Sequence, residues 1–294
     1  MNFKKICMTG AACLAIGILP MPSVASASSN NSDNSDEQSE FIKAYDTGKE
    51  KGILTDQNMT QSEFLSLCKE SVFPAYLEYQ QTHPTVSFAQ YVEEDNYEVP
   101  RQQAGDNPIT VSATGTKSNS SIFPFTSFAS VSARKGYSMK AGDILICYGR
   151  NITSKYIGHA AIASSSKYIM EMPGPGKHAT HTPKATFFKR NSGNGKYVAV
   201  YRIRKHPHYA DDASTYAYKH MYLKTNPSYF FPSSMYVKSP SYCSKYVYLA
   251  YEWGATKRAL YPIPGPSAVV LPHGLENWFK GDFTPSYVYK VTSY

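Results

Sequence analysis

The sequence predicts an α+β fold in which an antiparallel sheet packs against one cysteine-bearing helix. Three observations lead there. The second half of the chain carries short apolar runs bounded by turn residues, the mark of strands. Between 239 and 254 the apolar residues Cys243, Tyr246, Val247 and Ala250 recur at helical spacing and stop at Gly254. The order is strands, helix, cysteine helix, strand, without the strand–helix alternation of a parallel sheet.

The elements follow in chain order. Residues 1–27 read as a secretory signal: Lys4 and Lys5, an apolar run from Ile6 to Leu19, then Ala25-Ser26-Ala27 as the small-x-small cleavage pattern. The expected mature protein is therefore secreted or associated with the cell wall, with no membrane span. Ser28 to Gln38 is polar enough to be expected disordered. Residues 28–100 form a small acidic helical segment. Thr60 and Glu63 make a capping box ahead of the stripe Phe64, Leu67, Cys68, Ser71 and Val72, and Pro74 is expected to end or kink that helix. A second short helix carries Phe88, Tyr91 and Val92. Arg101 to Ser121 is rich in Gly, Pro, Asn, Ser and Thr, and 101–127 is read as a linker to the domain at 128–294.

In that domain Gly142–Gly149 is a compact strand, Gly158–Ala163 a second and Lys167–Met172 a third, joined to the second by Ser164-Ser165-Ser166. With Ser165 at the loop centre, His159 stands directly across from Glu171 and both point from the same side of the sheet. Pro173–Gly176 is a turn followed by a basic loop. Lys196–Ile203 is a strand, Asp211–Leu223 a helix and Asn226–Ser239 an aromatic loop. The cysteine helix is expected to open with Ser239 as cap and Pro240 at its first position. A last strand lies near Tyr287–Val291.

Charge is segregated. Residues 28–100 hold fourteen acidic and four basic side chains, whereas 101–294 hold eight acidic and twenty-four basic. The basic part suits a cell-wall peptide or other anionic surface polymer. With no nucleic-acid motif and Arg scarce beside Lys, nucleic acid is not expected. Cleavage of the signal leaves Cys68, Cys147 and Cys243, an odd number, so one thiol stays unpaired. Cys68 and Cys147 sit on apolar patterns and read as core, with a bridge between them left open.

Cys243 differs, because a thiol in the first turn of a helix is drawn toward thiolate by the helix dipole. Thiol chemistry needs an imidazole to take the proton and a polar group to orient the imidazole. His159 opens a strand of small residues and packs poorly as a core residue. Between it and Cys243 the carboxylates are Glu171, Asp211 and Asp212. The last two read as a helix cap, which leaves Glu171, placed among apolar residues where an unpaired charge is costly. The competing reading makes these a buried structural cysteine and a surface histidine. His178/His181 and His206/His208 have no carboxylate or cysteine close by, so neither a metal nor a cofactor is expected. Ser164–Ser166 lacks the glycines of a nucleophile elbow.

Gly142-Asp143-Ile144, then Gly158-His159-Ala160-Ala161-Ile162, then Glu171, then Tyr242-Cys243-Ser244 with its Tyr/Val-rich helix, together resemble the circularly permuted, YiiX-like branch of the NlpC-type papain-fold hydrolases. The resemblance covers about residues 130–294 and leaves 28–121 unmatched. It implies a permuted papain-like sheet on the nucleophile helix, with Cys243 as nucleophile, His159 as base, Glu171 as orienting group and Tyr242 lining the site. It also implies an exported thiol hydrolase of amide bonds, cell-wall peptides being the expected substrate. Two alternatives stand beside it: lipid acyl hydrolysis or transfer on the same fold, as in the lecithin:retinol acyltransferase-like relatives, and a non-catalytic wall- or host-binding module.

Overall fold

The structure, a computed structural model, describes residues 31–114, 136–149, 158–254 and 259–294. The signal segment at 1–27 lies outside the described residues. Among those described, no helix is long and apolar enough to cross a membrane.

The chain begins with α1 (Asn31–Glu50), so residues 31–38, expected disordered, are helical. This helix buries Phe41, Ala44 and Tyr45, an i, i+3, i+4 stripe that anchors its polar first turns. In α2 (Gln61–Leu67) Thr60 and Glu63 form the expected capping box. Pro74 does not end the helical run. Residues Cys68–Val72 widen into a π-helical turn, and Pro74 falls in the first turn of α3 (Phe73–Gln80), where its missing N–H costs little. Ser87 and Gln90 box the start of α4 (Phe88–Glu94). Phe64, Tyr76, Phe88 and Tyr91 then run into one continuous core with Ile146, Tyr148, Tyr246 and Tyr251. The acidic helices therefore share an apolar interior with one face of the sheet, while Leu145, Ala161, Phe187 and Val200 form a second cluster on the other face.

The sheet holds β1 (Ile109–Ser112), β2 (Ile144–Tyr148), β3 (His159–Ala163), β4 (Tyr168–Glu171), β5 (Thr180–Pro183), β6 (Tyr197–Arg202) and β7 (Ser286–Ser293), in the spatial order β1-β7-β6-β2-β3-β4-β5. It is α+β as expected and antiparallel, except that β1 lies parallel to β7. That edge strand falls inside the stretch read as a linker. Its four residues show no clean alternation, and pairing with β7 is what makes them a strand. The basic loop after Pro173–Gly176 likewise contains β5 and the short helix α5 (Lys184–Asn191). The helix expected at Asp211–Leu223 starts earlier, as α6 (Pro207–Tyr216), and continues as π-helical turns through Leu223.

The cysteine-bearing helix α7 runs Cys243–Gly254. Its start corrects the sequence reading. Ser241 bridges Tyr229 as extended chain, and the first helical bond runs from the Tyr246 amide to the Tyr242 carbonyl (2.8 Å). Ser239 and Pro240 belong to the loop, and Cys243 occupies the first helical position. The helix packs along β3 and against α6. Tyr251 Oη donates to the Gly142 carbonyl (2.5 Å), tying the helix to the entry of β2. There Asp143 accepts from Arg202 Nε and Nη2 (2.6 and 2.7 Å) and from Tyr137 Oη (2.6 Å), which pays for its burial.

A second buried ion cluster fastens the acidic helices to this domain. His273 Nδ1 donates toward Asp95 Oδ2 (3.0 Å) and Glu98 Oε2 (3.1 Å), and Nε2 donates to the Cys147 carbonyl (3.0 Å). Both ring nitrogens thus carry protons. Burial opposes the charge, but the two carboxylates outweigh it and raise His273 well above the ordinary histidine range. Asn96, Tyr97 and Glu98 all have positive φ (51°, 54° and 60°), a strained turn that brings both carboxylates to one ring. Gly158, at φ +59°, passes so close that an added Cβ would lie 2.4 Å from His273 Nε2. Removing the imidazole leaves two carboxylates in the interior. We expect His273→Ala to destabilise the fold by about 3–5 kcal/mol, read as a lowered urea midpoint, with a midpoint within error of wild type contradicting the clamp.

Candidate active site

The site is assembled where β3 begins and α7 begins. His159 is the first residue of its strand and pairs across to Cys147 of β2. On the other side the register differs from expectation by two. Ala161, not His159, is paired with Glu171, because the β3–β4 loop centres one residue later than Ser165. A shift of two keeps every side chain on its face. His159 and Glu171 are therefore diagonal neighbours rather than opposite ones, and His159 Nε2 donates to Glu171 Oε2 at 2.8 Å.

Two further residues hold that carboxylate. Thr182 Oγ1 donates to Glu171 Oε1 (2.6 Å) and Arg190 Nη2 to Oε2 (2.5 Å). Nothing in the local pattern around Thr182 or Arg190 marked them, since β5 and α5 were read as loop. A basic side chain near a buried acid is the only signal, and it needs the fold to be seen. Burial alone would raise Glu171, but His159 and Arg190 overcome it and bring it down to about 2.

The Cys243 thiol and the His159 ring are close enough for each to shift the other's proton affinity. With Nε2 engaged by Glu171, Nδ1 is the nitrogen left for the sulfur. Burial favours the neutral thiol, yet the His159 contact and charge, with the backbone amides of Ala160 and Ser244, hold Cys243 below the ordinary thiol range. His159 is likewise opposed by burial, and its contacts with Cys243 and Glu171 carry it up to about 9. Each group thus draws the other toward its charged form, the thiol toward thiolate and the ring toward imidazolium. Cys147 is the contrast: wholly buried, it is pushed well above the ordinary thiol range. Burial does the same to Cys68, and neither of these two forms a disulfide.

Tyr242, expected to line the site, turns into the core. Its hydroxyl donates to Met235 Sδ (3.3 Å) and accepts from the Val270 amide (3.1 Å), so it is the backbone of residue 242, not the ring, that borders the helix start. Lys245 is buried on the same helix. It donates to the Pro240 carbonyl (2.6 Å) and Ser233 Oγ (3.0 Å), holding the preceding loop, and burial lowers it to about 8. For a metal, the described residues offer Asp95, Glu98 and His273 as a grouped donor set, but the hydrogen bonds above already satisfy all three. A cleft of about 880 Å³ between the acidic helices and the sheet edge is lined by Arg101, Tyr197 and Lys290 among others, and includes neither Cys243 nor His159.

This arrangement is a buried thiol with lowered proton affinity beside an imidazole oriented by a carboxylate, which suits attack on an acyl carbon. Comparison with known proteins agrees in kind: the family model for lipoprotein N-acylation LnsA-like proteins matches residues 107–283. The chain belongs to the LnsA-like family. The family lies in the YiiX-like, papain-like cysteine hydrolase fold superfamily, and the match gives no support specific to the NlpC type. A Bacillus thuringiensis protein described as an uncharacterized 30.3 kDa protein is 33% identical over 162 residues, 52% of this chain and 58% of the relative. The chain thus spans little more than half the length of that relative. No solved structure matches. The LnsA-like match takes in His159, Glu171 and Cys243 and begins just before β1, leaving the acidic helices outside it.

Proposed function

We propose that this LnsA-like protein is a thiol acyltransferase that takes an acyl group from a lipid ester onto Cys243 and passes it to an amine. The observation that carries this reading is the Cys243–His159–Glu171 chain of contacts within the region the family covers. The thiolate attacks the ester carbonyl. In this reading, backbone amides at the start of α7 stabilise the developing oxyanion. Collapse expels the alkoxide, which takes the imidazolium proton of His159, and leaves a thioester on Cys243. An incoming amine then attacks the thioester, gives a proton to His159, and departs as the amide, which restores the thiolate–imidazolium pair. Glu171, held by Arg190 and Thr182, keeps the ring oriented through both halves. The family description, lipoprotein N-acylation, points to an amine nitrogen of a lipoprotein as the acceptor.

The same groups can cleave an amide in a cell-wall peptide. In that reaction the acyl part comes from the peptide and water is the acceptor. One experiment separates the two. Purified protein is incubated with a lipid ester labelled in its acyl chain, and in parallel with peptidoglycan fragments. Transfer predicts a hydroxylamine-labile acyl group on the protein, chased onto an added amino-terminal peptide. Cleaved fragments with no acyl-enzyme would favour the amidase. Export after cleavage near Ala27 remains part of the proposal, and the N-terminal sequence of protein recovered from culture tests it.

A further inference from the structure

The loop that delivers Cys243 presents its apolar side chains to solvent. Leu223, Phe230, Tyr236 and Val237 are 60%, 59%, 59% and 42% exposed, and Tyr261, just beyond α7, is 52% exposed. A fold with an extensive buried core has no packing reason to turn these residues outward together. They are held near the site. The Phe230 amide donates to the Ser241 carbonyl (2.9 Å), and Phe231 meets the Tyr242 ring edge-on, its centroid 5.0 Å away. Tyr248 of α7 donates its hydroxyl to the Tyr261 carbonyl (2.9 Å). Charge follows the same segment. From Ala213 to Tyr251 there is no carboxylate, while Lys219, Lys224 and Lys238 lie in it outside the core.

We infer that the 223–240 loop, with Tyr261, is a docking surface for a membrane with anionic headgroups, set beside the Cys243 thiol. Tyrosine and phenylalanine with intervening lysines and no acid are the composition that settles at a lipid–water interface, where rings reach the acyl boundary and ammonium groups stay among headgroups. A protein partner of ordinary polarity gives no reason for the absence of carboxylates over so long a stretch. The inference rests on the acyl-transfer reading, because it supplies the surface from which a lipid ester would reach the thiol.

The test is co-sedimentation of the full chain with vesicles of phosphatidylcholine containing phosphatidylglycerol, and with vesicles of phosphatidylcholine alone. Wild type is expected to bind the anionic vesicles and to lose most of that binding in high salt. The triple variant Phe230→Ser/Tyr236→Ser/Val237→Ser is expected to bind at least tenfold more weakly, with an unchanged melting temperature. Leu77→Ser, which removes an exposed leucine on α3, is expected to bind as wild type. Absence of binding by wild type overturns the inference. So does an unchanged triple variant, equal loss in Leu77→Ser, or a self-association that the triple variant abolishes without vesicle binding. Vesicle binding without any acyl-enzyme would sink the acyl-transfer reading and leave the docking surface standing. An acyl-enzyme formed from detergent-dispersed lipid without vesicle binding would do the reverse.

Discussion

Cys243→Ala is expected to abolish formation of the acyl-enzyme and to lower turnover by a factor on the order of 10⁴–10⁶, the scale seen when a nucleophile acting as part of a triad is removed. The physical reason is that neither of the other two thiols among the described residues can substitute. Cys68 and Cys147 are buried and held protonated, whereas Cys243 is drawn toward thiolate by His159 and two backbone amides. The same asymmetry gives a stoichiometry that can be counted. At neutral pH native protein lacking residues 1–27 should take up one equivalent of iodoacetamide, on Cys243, and its Cys243→Ala variant should take up none. Alkylation spread over all three cysteines, or acyl transfer surviving in the alanine variant above a hundredth of wild type, would remove Cys243 from its role.

Glu171→Gln is expected to cost about 10²–10⁴-fold in turnover, the range for losing the group that fixes a catalytic imidazole, and to change the pH profile in a defined direction. In the wild type His159 stands at about 9, above its ordinary 6.5. Its contribution to stability is fully present below 6.5 and is lost as pH rises through 9. Glu171 stands at about 2, below its ordinary 4.5, so its contribution is present above 4.5 and lost as pH falls toward 2. The paired state is therefore intact between these limits, and the rate of Cys243 alkylation should stay flat over the neutral range until His159 deprotonates. Glutamine cannot supply the negative charge, so the His159 pKa falls and the basic limb of the profile moves to lower pH. Arg190 also loses its anion and the buried pocket gains an uncompensated cation. A profile that keeps its basic limb near pH 9 in Glu171→Gln would show that Glu171 does not act on His159.

Much of this site was legible in the chain. The apolar spacing after residue 242 predicts a helix, and the thiol at its start is a local fact. Period-two alternation places His159 and Glu171 on one face, and that parity survived a register that moved by two residues. The family resemblance pointed to the same three positions, all of which lie within the stretch that the LnsA-like family model matches.

Other features depended on contacts that no local pattern encodes. Thr182 and Arg190 meet Glu171 only because β5 pairs with β4 and α5 follows it. Tyr242 turns inward because the Val270 amide and Met235, distant in sequence, take its hydroxyl. Asp95 and Glu98 belong to the acidic helices, yet His273 joins them to the carbonyl of Cys147, the residue paired with His159. The sequence by itself determined the helix, the strands, the thiol at the helix start and the side from which the imidazole and carboxylate project, since periodicity and helix polarity are properties of neighbours along the chain. Only the tertiary structure decided which groups hold the carboxylate and where the helical segment is clamped, because those partners are set by how the elements pack and lie far apart in sequence.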